Sequence, residues 1–245
     1  MREVIYTIQQ NEVLTAGVYR MALSGDTSAI AAPGQFIDIQ LPGLYLRRPI
    51  SVCDWDEGGL TIIYKVVGNG TAQLAGMKPG AALNCLSGLG NGYDVAACPD
   101  DAVLVGGGVG VPPLYGLAKR LLAAGKRPSV ILGFNSAPEV FYEAEFRALG
   151  VPVTVTTADG SAGVKGFVTA ALPEGAYACA CGPEPMLRAV HARASGGQFS
   201  FEARMGCGFG ACMGCTCETL TGYKRICRDG PVLSYEEIRW QQKKQ

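Results

Sequence analysis

The stretch MGCGFGACMGCTCETLTGYKRICRDGP, residues 205–231, decides how this chain is organised. Its cysteines Cys207, Cys212, Cys215 and Cys227 follow the spacing C-x4-C-x2-C-x11-C. The first three match the plant-type ferredoxin spacing for a [2Fe–2S] cluster, whose fourth thiolate comes from further along the chain. Three thiolates on one short loop must converge on two irons, so the backbone has to curl tightly. The glycines between these cysteines permit that curl.

Other uses of these cysteines remain open at this point. Structural disulfides would need an oxidising compartment. A zinc site would more typically pair two C-x2-C knuckles, whereas one half here is C-x4-C. Buried free thiols are rarely so dense. Cys217 lies inside the same stretch and is the spare thiol by spacing, although it could replace Cys215 as the third ligand.

Length and composition limit the function classes. The chain has 245 residues, enough for about two domains. Lys plus Arg and Asp plus Glu are balanced at 21 each, so neither nucleic acid nor an anionic membrane is an expected partner. With one histidine, His191, acid–base catalysis by side chains is disfavoured, and bound cofactors are expected to carry the chemistry.

The location follows from targeting signals and cysteine content. The N-terminus alternates polar and apolar residues and lacks the apolar core of a signal peptide. The sequence contains no run of about 18 apolar residues, so no transmembrane helix is expected. Ten cysteines in a chain without a secretion signal indicate a reducing, cytoplasmic location and metal or redox use.

Residues 1–97 predict an antiparallel β-barrel. Short strand-like runs separated by Gly, Pro and Asp turns favour a closed barrel, which leaves no exposed edge. The predicted strands are Glu3–Gln10, Val18–Ser24, Gln35–Gln40, Ile50–Asp54, Leu60–Val67 and Ala81–Leu86.

Within this barrel, a phosphate-binding site is predicted at two neighbouring places. Arg48 opens the tract RPIS, and Lys65 ends a later strand. The turn Gly68–Thr71 then leads into a short helix, whose free N–H groups would suit a pyrophosphate. Taken alone, this turn could equally be a simple hairpin connection.

Residues 98–195 alternate strands and helices, which predicts a small doubly wound parallel α/β domain. The predicted strands are Ala102–Val105, Ser129–Phe134, Val153–Thr157 and Ala176–Cys181. A helix is expected from Pro112, and three more over Val140–Leu149, Gly166–Leu172 and Pro183–Ala194. The last part, residues 196–245, is the cluster segment, with a predicted strand at Phe199–Arg204 and a helical tail over Glu236–Gln245.

Two loops of the α/β domain are candidate dinucleotide sites. GGGVG, residues 106–110, is a glycine-rich strand-to-helix turn, and CGPEPM, residues 181–186, follows the last strand. Because ligands bind open α/β sheets at the carboxyl ends of the strands, both loops are expected to line one crevice. The alternative for Cys181 is a small buried side chain without a binding role.

The order of these motifs resembles the ferredoxin–NADP reductase superfamily, and within it the electron-transfer subunits of type B dihydroorotate dehydrogenase. The similarity covers essentially the whole chain and is most specific in residues 207–232. It implies FAD on the barrel, NAD(H) on the α/β domain and one [2Fe–2S] cluster in the C-terminal segment. The implied FAD-binding residues are Arg48, Pro49, Ile50, Ser51, Ile63, Tyr64, Lys65, Gly70 and Thr71. The implied NAD(H)-binding residues are Gly107, Gly108, Gly110, Cys181, Gly182 and Pro183, and the cluster ligands are Cys207, Cys212, Cys215 and Cys227.

The resemblance also implies a function and a partner. A catalytic subunit carrying FMN would oxidise dihydroorotate to orotate, and this chain would pass the electrons to NAD+ in a heterotetramer with two copies of each subunit. NAD is expected rather than NADP, because the position after the second α/β strand reads Gly133-Phe134-Asn135-Ser136 and not the arginine typical of NADP users. The alternatives are a subunit of sulfide dehydrogenase or of ferredoxin:NADP+ oxidoreductase, and a zinc-stabilised NAD-binding module without flavin.

Overall fold

A computed structural model describes residues 1–240. Residues 2–89 form a closed six-stranded antiparallel barrel with the strand order β1-β2-β5-β4-β3-β6. Its strands are β1 (Arg2–Thr15), β2 (Val18–Ser24), β3 (Phe36–Ile39), β4 (Arg48–Trp55), β5 (Gly59–Lys65) and β6 (Ala82–Leu89). The short helix α1 (Asn69–Ala75) lies between β5 and β6. The predicted barrel is therefore confirmed, and buried side chains largely alternate with partly exposed ones along β2 and β6.

The second unit is a seven-stranded sheet with the order β10-β9-β8-β7-β11-β12-β15, in which all pairs except β12–β15 are parallel. Its first strand, β7 (Val103–Gly107), lies in the middle, which confirms the doubly wound topology. The other strands are β8 (Ser129–Phe134), β9 (Val153–Thr157), β10 (Val164–Lys165), β11 (Tyr177–Cys181), β12 (Gly196–Ser200) and β15 (Val232–Ser234). The helices are α2 (Pro112–Ala123), α3 (Glu143–Ala148) and α4 (Glu184–Arg193).

The structure corrects three predicted elements. Gly166–Leu172 is not an α-helix, because only Val168–Ala170 forms a 3-10 turn. The strand predicted at Phe199–Arg204 starts earlier and ends at Ser200, where its partner β11 also ends. The tail contains a 3-10 turn at Tyr235–Glu237 and no α-helix up to residue 240, and the remainder of the predicted tail helix lies outside the described residues.

The cluster segment is an excursion from the sheet. The chain leaves the sheet at the end of β12, forms the cysteine loop and the hairpin β13 (Thr216–Thr219) and β14 (Gly222–Arg225), and returns in β15. β15 pairs with β12 itself, with Phe199 opposite Leu233. The cluster segment is therefore held at both of its ends by two neighbouring strands.

The barrel and the sheet pack closely through one side of each unit. Cys53 and Ile63 of the barrel share one apolar cluster with Val111, Leu114 and Leu117 of the second unit. Residue 116 on α2 is glycine, and a side chain there would press on the Cys53 carbonyl oxygen. This packing places β4 and β5 beside the start of α2. Within residues 1–240, no helix combines the length and the apolar character that a membrane crossing requires.

Candidate cofactor sites

The four predicted cluster ligands lie in two close pairs. The Sγ atoms of Cys215 and Cys227 are 3.2 Å apart and buried. Cys207 and Cys212 lie nearer the surface, where the backbone N–H groups of Ala211 and Cys212 donate to the Cys207 Sγ at 3.2 and 3.4 Å. Within residues 1–240, no group of three or more His, Cys, Asp or Glu side chains is arranged to hold one metal ion. The structure therefore brings the thiols together in pairs.

Backbone N–H groups directed at sulfur are the feature that fits an iron–sulfur cluster. The N–H of Gly214 donates to Cys212 Sγ at 3.5 Å, and the N–H of Cys227 donates to Cys215 Sγ at 3.4 Å. Such bonds stabilise negative charge on sulfur, as a ligated thiolate requires. Burial alone would raise the pKa of the Cys207 thiol, but the N–H groups around it outweigh burial and lower that pKa to about 6. The donor set and its hydrogen bonds thus suit a thiolate-ligated metal group.

Arg225 holds the loop in this shape. Its Nη1 donates to the Gly210 carbonyl oxygen at 3.0 Å, and its Nε donates to Asp229 Oδ2 at 2.9 Å. Gly210 has a φ of +92°, a conformation that favours glycine. Sequence reasoning did not identify Arg225, since an arginine in a cysteine-rich loop carries no pattern of its own.

Cys217 differs from the four predicted ligands in its surroundings. It lies on β13, opposite Lys224 of β14, and packs against the apolar cluster beneath the hairpin. Burial raises the pKa of its thiol. Its own backbone N–H opposes this rise, but burial has the larger effect. These surroundings favour the reading of Cys217 as a packed thiol.

The first part of the predicted FAD site gathers around Arg48. The Arg48 side chain crosses Gly70, where a Cβ would overlap its guanidinium group. Its Nη1 donates to the carbonyl oxygen of Leu46 at 2.6 Å. Thr71 Oγ1 accepts the Val67 N–H at 2.9 Å and fixes the turn that precedes α1. The RPIS strand and the GNGT turn, distant in sequence, therefore meet, and a positive charge lies at their junction.

The other predicted FAD residues are placed differently. Pro49, Ile50 and Ser51 are partly exposed along β4. Ile63 and Tyr64 are buried, and the Tyr64 hydroxyl donates to Asn11 Oδ1 at 3.0 Å inside the barrel. Only Lys65 of this tract has an exposed side chain. Ile63 and Tyr64 are thus core residues, and a ligand on this strand would meet mainly their backbone.

The two predicted NAD(H) loops meet at the carboxyl ends of β7 and β11. Cys181 pairs with Gly106 in the sheet, and a Cβ on Gly110 would overlap the Cys181 carbonyl. Gly107 lies against Pro183, and Gly182 lies against the Gly107 N–H. The two loops that were expected to line one crevice are therefore adjacent, and the crevice itself stays a prediction.

Cys181 is a buried, neutral thiol where the two loops meet. Burial raises the pKa of Cys181 to about 12, and the charge of Glu202 adds to the rise. Glu202 follows β12 and was not identified from the sequence. Its position two residues after Ser200, which pairs with Cys181, puts a carboxylate at the carboxyl edge of the sheet.

Polar side chains follow the ends of β8 and β9. Asn135 Nδ2 donates to Glu139 Oε2 at 2.9 Å after β8. On the neighbouring loop, Asp159 Oδ1 accepts from the Ser161 N–H and hydroxyl at 2.9 and 2.6 Å, and Ser161 Oγ in turn accepts the Ala137 N–H at 2.7 Å. Hydroxyl, amide and carboxylate groups are those that recognise an unphosphorylated ribose.

Asp38, beside the cysteine loop, is a further residue that sequence reasoning missed. It lies on β3, is 2% exposed, and its Oδ1 atom has no hydrogen-bond partner among the described residues. Burial raises its pKa to about 7, against the opposing effect of Arg47. The sequence signal is a charged residue at the centre of the strand FIDI.

Two family models match the chain. The iron–sulfur cluster binding domain of dihydroorotate dehydrogenase B matches residues 202–239, and the oxidoreductase NAD-binding domain matches residues 104–192. A structure reported for an NADH-dependent reduced ferredoxin-NADP oxidoreductase is similar with a TM-score of 0.86 and 30% identity, covering 96% of this chain and 90% of the other. A ferredoxin NADP+ reductase from Neisseria gonorrhoeae shares the fold with a TM-score of 0.68 at 16% identity, covering 79% and 90% of the two chains.

Curated relatives match over nearly the whole length. The dihydroorotate dehydrogenase B (NAD(+)) electron transfer subunits of Fusobacterium nucleatum and Geobacillus kaustophilus are both 43% identical, and each comparison covers 95% of this chain and 96% of the relative. The subunit of Bacillus velezensis is 41% identical, with 97% and 99% covered. The family expected from the motifs is therefore confirmed: the chain belongs to the electron transfer subunits of dihydroorotate dehydrogenase B.

Proposed function

We propose that this protein carries electrons between a dihydroorotate-oxidising catalytic subunit and NAD+, through a [2Fe–2S] cluster and FAD, in pyrimidine biosynthesis. One observation carries the proposal: the three candidate sites are contiguous. The flavin strands β4 and β5 pack beside the dinucleotide turn at the start of α2, and β3, the neighbour of β4, contacts the cysteine loop through Asp38. Such an order suits the transfer of electrons from one cofactor to the next.

Residue roles follow from the surroundings of each side chain. Arg48 neutralises the FAD pyrophosphate at the junction with Gly70, and Ser51 faces the flavin from β4. The glycines of residues 106–110 admit the NAD(H) pyrophosphate, and Cys181 lies at the nicotinamide end as a neutral thiol. Cys207, Cys212, Cys215 and Cys227 hold the cluster, and their N–H partners tune its reduction potential.

When bound, a flavin supplies the conversion between two-electron hydride transfer and one-electron transfer to iron. No side chain has to act as a base in this scheme. The chain's task is to hold the three groups close together and to exclude competing reactions. The neutral Cys181 fits that task, since it adds no charge beside a hydride acceptor.

The partner would dock over the cysteine loop. Phe209 and Met213 of this loop are 43% and 54% exposed, and Tyr223 of the adjoining hairpin is also exposed. Large apolar side chains grouped on a surface mark a protein interface. The partner is a catalytic subunit carrying FMN, in an assembly of two copies of each chain. We place this assembly in the reducing cytoplasm, where the ten cysteines remain free thiols or metal ligands.

Reconstitution tests this proposal. The protein, purified without oxygen, should contain FAD, iron and acid-labile sulfide, and should form NADH from dihydroorotate and NAD+ only when the FMN-containing catalytic subunit is present. The Cys227→Ser variant should bind FAD but support no such transfer. Wild-type protein that holds neither FAD nor iron would contradict the proposal.

A second candidate is a subunit of a ferredoxin-NADP oxidoreductase. The whole-chain similarity to an enzyme of that description, at 30% identity, favours it. Identity of 41–43% to electron transfer subunits of dihydroorotate dehydrogenase B favours the first candidate. Reduction of NADP+ by reduced ferredoxin, without response to dihydroorotate, would decide for the second.

A further inference from the structure

The contact between β3 of the barrel and the cysteine loop joins two of the candidate sites, but the side chain that makes it has no role assigned so far. Asp38 projects from β3 toward Gly208, which follows Cys207 directly. The Asp38 carboxylate comes so close that a Cβ on residue 208 would overlap its Oδ2. Gly208 also has a φ of +76°, so both the conformation and the contact require glycine.

Asp38 is linked to the flavin side as well. In the barrel it pairs with Pro49 of β4, within the tract RPIS that we assign to FAD. One residue therefore touches the backbone of the flavin strand and, through its side chain, the loop that carries the first cluster thiol. No other carboxylate described above has this position between the two sites.

The buried carboxyl group of Asp38 lowers the stability of the fold. A buried polar atom without a partner destabilises a fold by about 1–3 kcal/mol, and Asp38 Oδ1 is such an atom. The nearby Arg47 does not relieve it: its Nη1 donates to the carbonyl oxygens of Asp38 and Asn84 at 3.3 and 3.1 Å, and its Nη2 to Gln40 at 3.3 Å. An asparagine or an apolar side chain would fill the same space at lower cost, so the charge calls for a functional reason.

We propose that Asp38 is a positioning residue that seats the cysteine loop on the flavin barrel and holds the reduction potential of the cluster low. The proposal rests on the assignment of Cys207 as a ligand. A carboxylate beside a group that gains an electron makes that gain less favourable, and burial strengthens the effect. Loop seating and charge are two separate consequences, and each has its own test.

The charge is tested with Asp38→Asn, which keeps the shape of the side chain. The cluster midpoint potential, followed by EPR during an anaerobic titration at about pH 9 where an aspartate is ionised, should shift to a less negative value. The matched control is Glu3→Gln, because Glu3 is 3.8 Å from the same Arg47 but its side chain is 61% exposed. Its midpoint should equal that of the wild type.

The seating is tested with a double-mutant cycle. Gly208→Ala should lower the iron content per FAD, because its Cβ displaces the loop from Asp38. Asp38→Ala removes the obstructing carboxylate, so Gly208→Ala should cost clearly less iron in that background. The backbone strain at residue 208 is the same in both backgrounds and cancels.

The outcomes separate this inference from the proposed function. Wild-type protein without iron and sulfide would overturn both. A wild-type cluster with an unchanged midpoint in Asp38→Asn, or additive effects of Gly208→Ala and Asp38→Ala, would overturn the role of Asp38 alone.

Discussion

The Sγ atom of Cys215 lies 3.2 Å from the Sγ atom of Cys227, although the two residues are 12 positions apart in sequence. The β13–β14 hairpin between them makes this approach possible. Cys217, only two residues after Cys215, lies on the hairpin itself and opposite Lys224. The fold thus distinguishes two cysteines that the spacing alone left interchangeable.

The first prediction concerns these cysteines. Cys227→Ser should remove the fourth thiolate and abolish the cluster, so iron and acid-labile sulfide per FAD should fall close to zero. Cys217→Ser should retain both, because its sulfur is packed in the apolar cluster. Iron analysis and the visible spectrum of anaerobic protein measure this. Loss of the cluster in Cys217→Ser would show that the third ligand is misassigned.

The second prediction concerns FAD. Gly70→Ala should displace the Arg48 guanidinium group, because the new Cβ would occupy its place. Loss of a charge-assisted hydrogen bond costs about 2 kcal/mol, which corresponds to about 30-fold weaker FAD binding. Gly76→Ala is the control, since residue 76 has right-handed helical backbone angles and a Cβ there would meet only ordinary contacts. Equal FAD affinity in the two variants would argue against Arg48 as the pyrophosphate ligand.

The third prediction separates the dinucleotide crevice from the barrel. Gly110→Ala should force apart the turn before α2 and the Cys181 carbonyl. We expect a KM for NADH at least about tenfold higher, equivalent to about 1.4 kcal/mol, with normal FAD content. Gly76→Ala, where a Cβ would meet only ordinary contacts, should leave the KM unchanged. An unaltered KM in Gly110→Ala would place the dinucleotide elsewhere.

The fourth prediction concerns the choice of nicotinamide cofactor. Glu139 and Asn135 are hydrogen-bonded after β8, where a 2′-phosphate would be repelled by the carboxylate. Glu139→Gln should reduce the preference for NADH over NADPH by about tenfold, as expected for removal of one charge. Glu143→Gln is the control, because Glu143 pairs with Arg147 within α3. The ratio of kcat/KM for the two cofactors is the measurement.

The fifth prediction is a pH dependence in the adjoining loop. The Ser161 hydroxyl and N–H lower the pKa of Asp159, so the folded state favours its ionised form. The stability that this gives is present above the ordinary aspartate pKa and is lost as the pH falls through the lowered value. Asp159→Asn should therefore melt at a lower temperature than the wild type at pH 7, and the difference should shrink as the pH falls below the ordinary aspartate pKa. A difference that persists in acid would mean that the charge of Asp159 is not involved.

Much of the fold follows from local sequence pattern. β2, β8 and β9 begin and end at the predicted residues, because alternating or continuous apolar runs end at clear turns. The helix predicted at Gly166–Leu172 was wrong. Val168 and Leu172 have the i, i+4 spacing of a helix face, but both are buried by a single turn over the sheet. Tyr142, with a φ of +65°, similarly delays α3 to Glu143.

The sites were predictable where chemistry depends on composition and hidden where it depends on tertiary contact. Cysteine spacing and glycine-rich turns can be read along the chain. The approach of Asp38 to Gly208 joins residues 170 positions apart, and no local pattern encodes it. Burial of Tyr64, whose hydroxyl bonds Asn11 inside the barrel, likewise depends on barrel closure.

The chain returns from β14 to β15 directly beside β12, so the cysteine loop is an excursion that begins and ends at neighbouring strands. The scaffold around FAD and the nucleotide does not run through it. Oxygen damage to the cluster should therefore stop electron transfer with the catalytic subunit, while NADH still reduces the flavin. A cell could then restore the complex by reassembling the iron–sulfur cluster alone, without synthesising a new polypeptide.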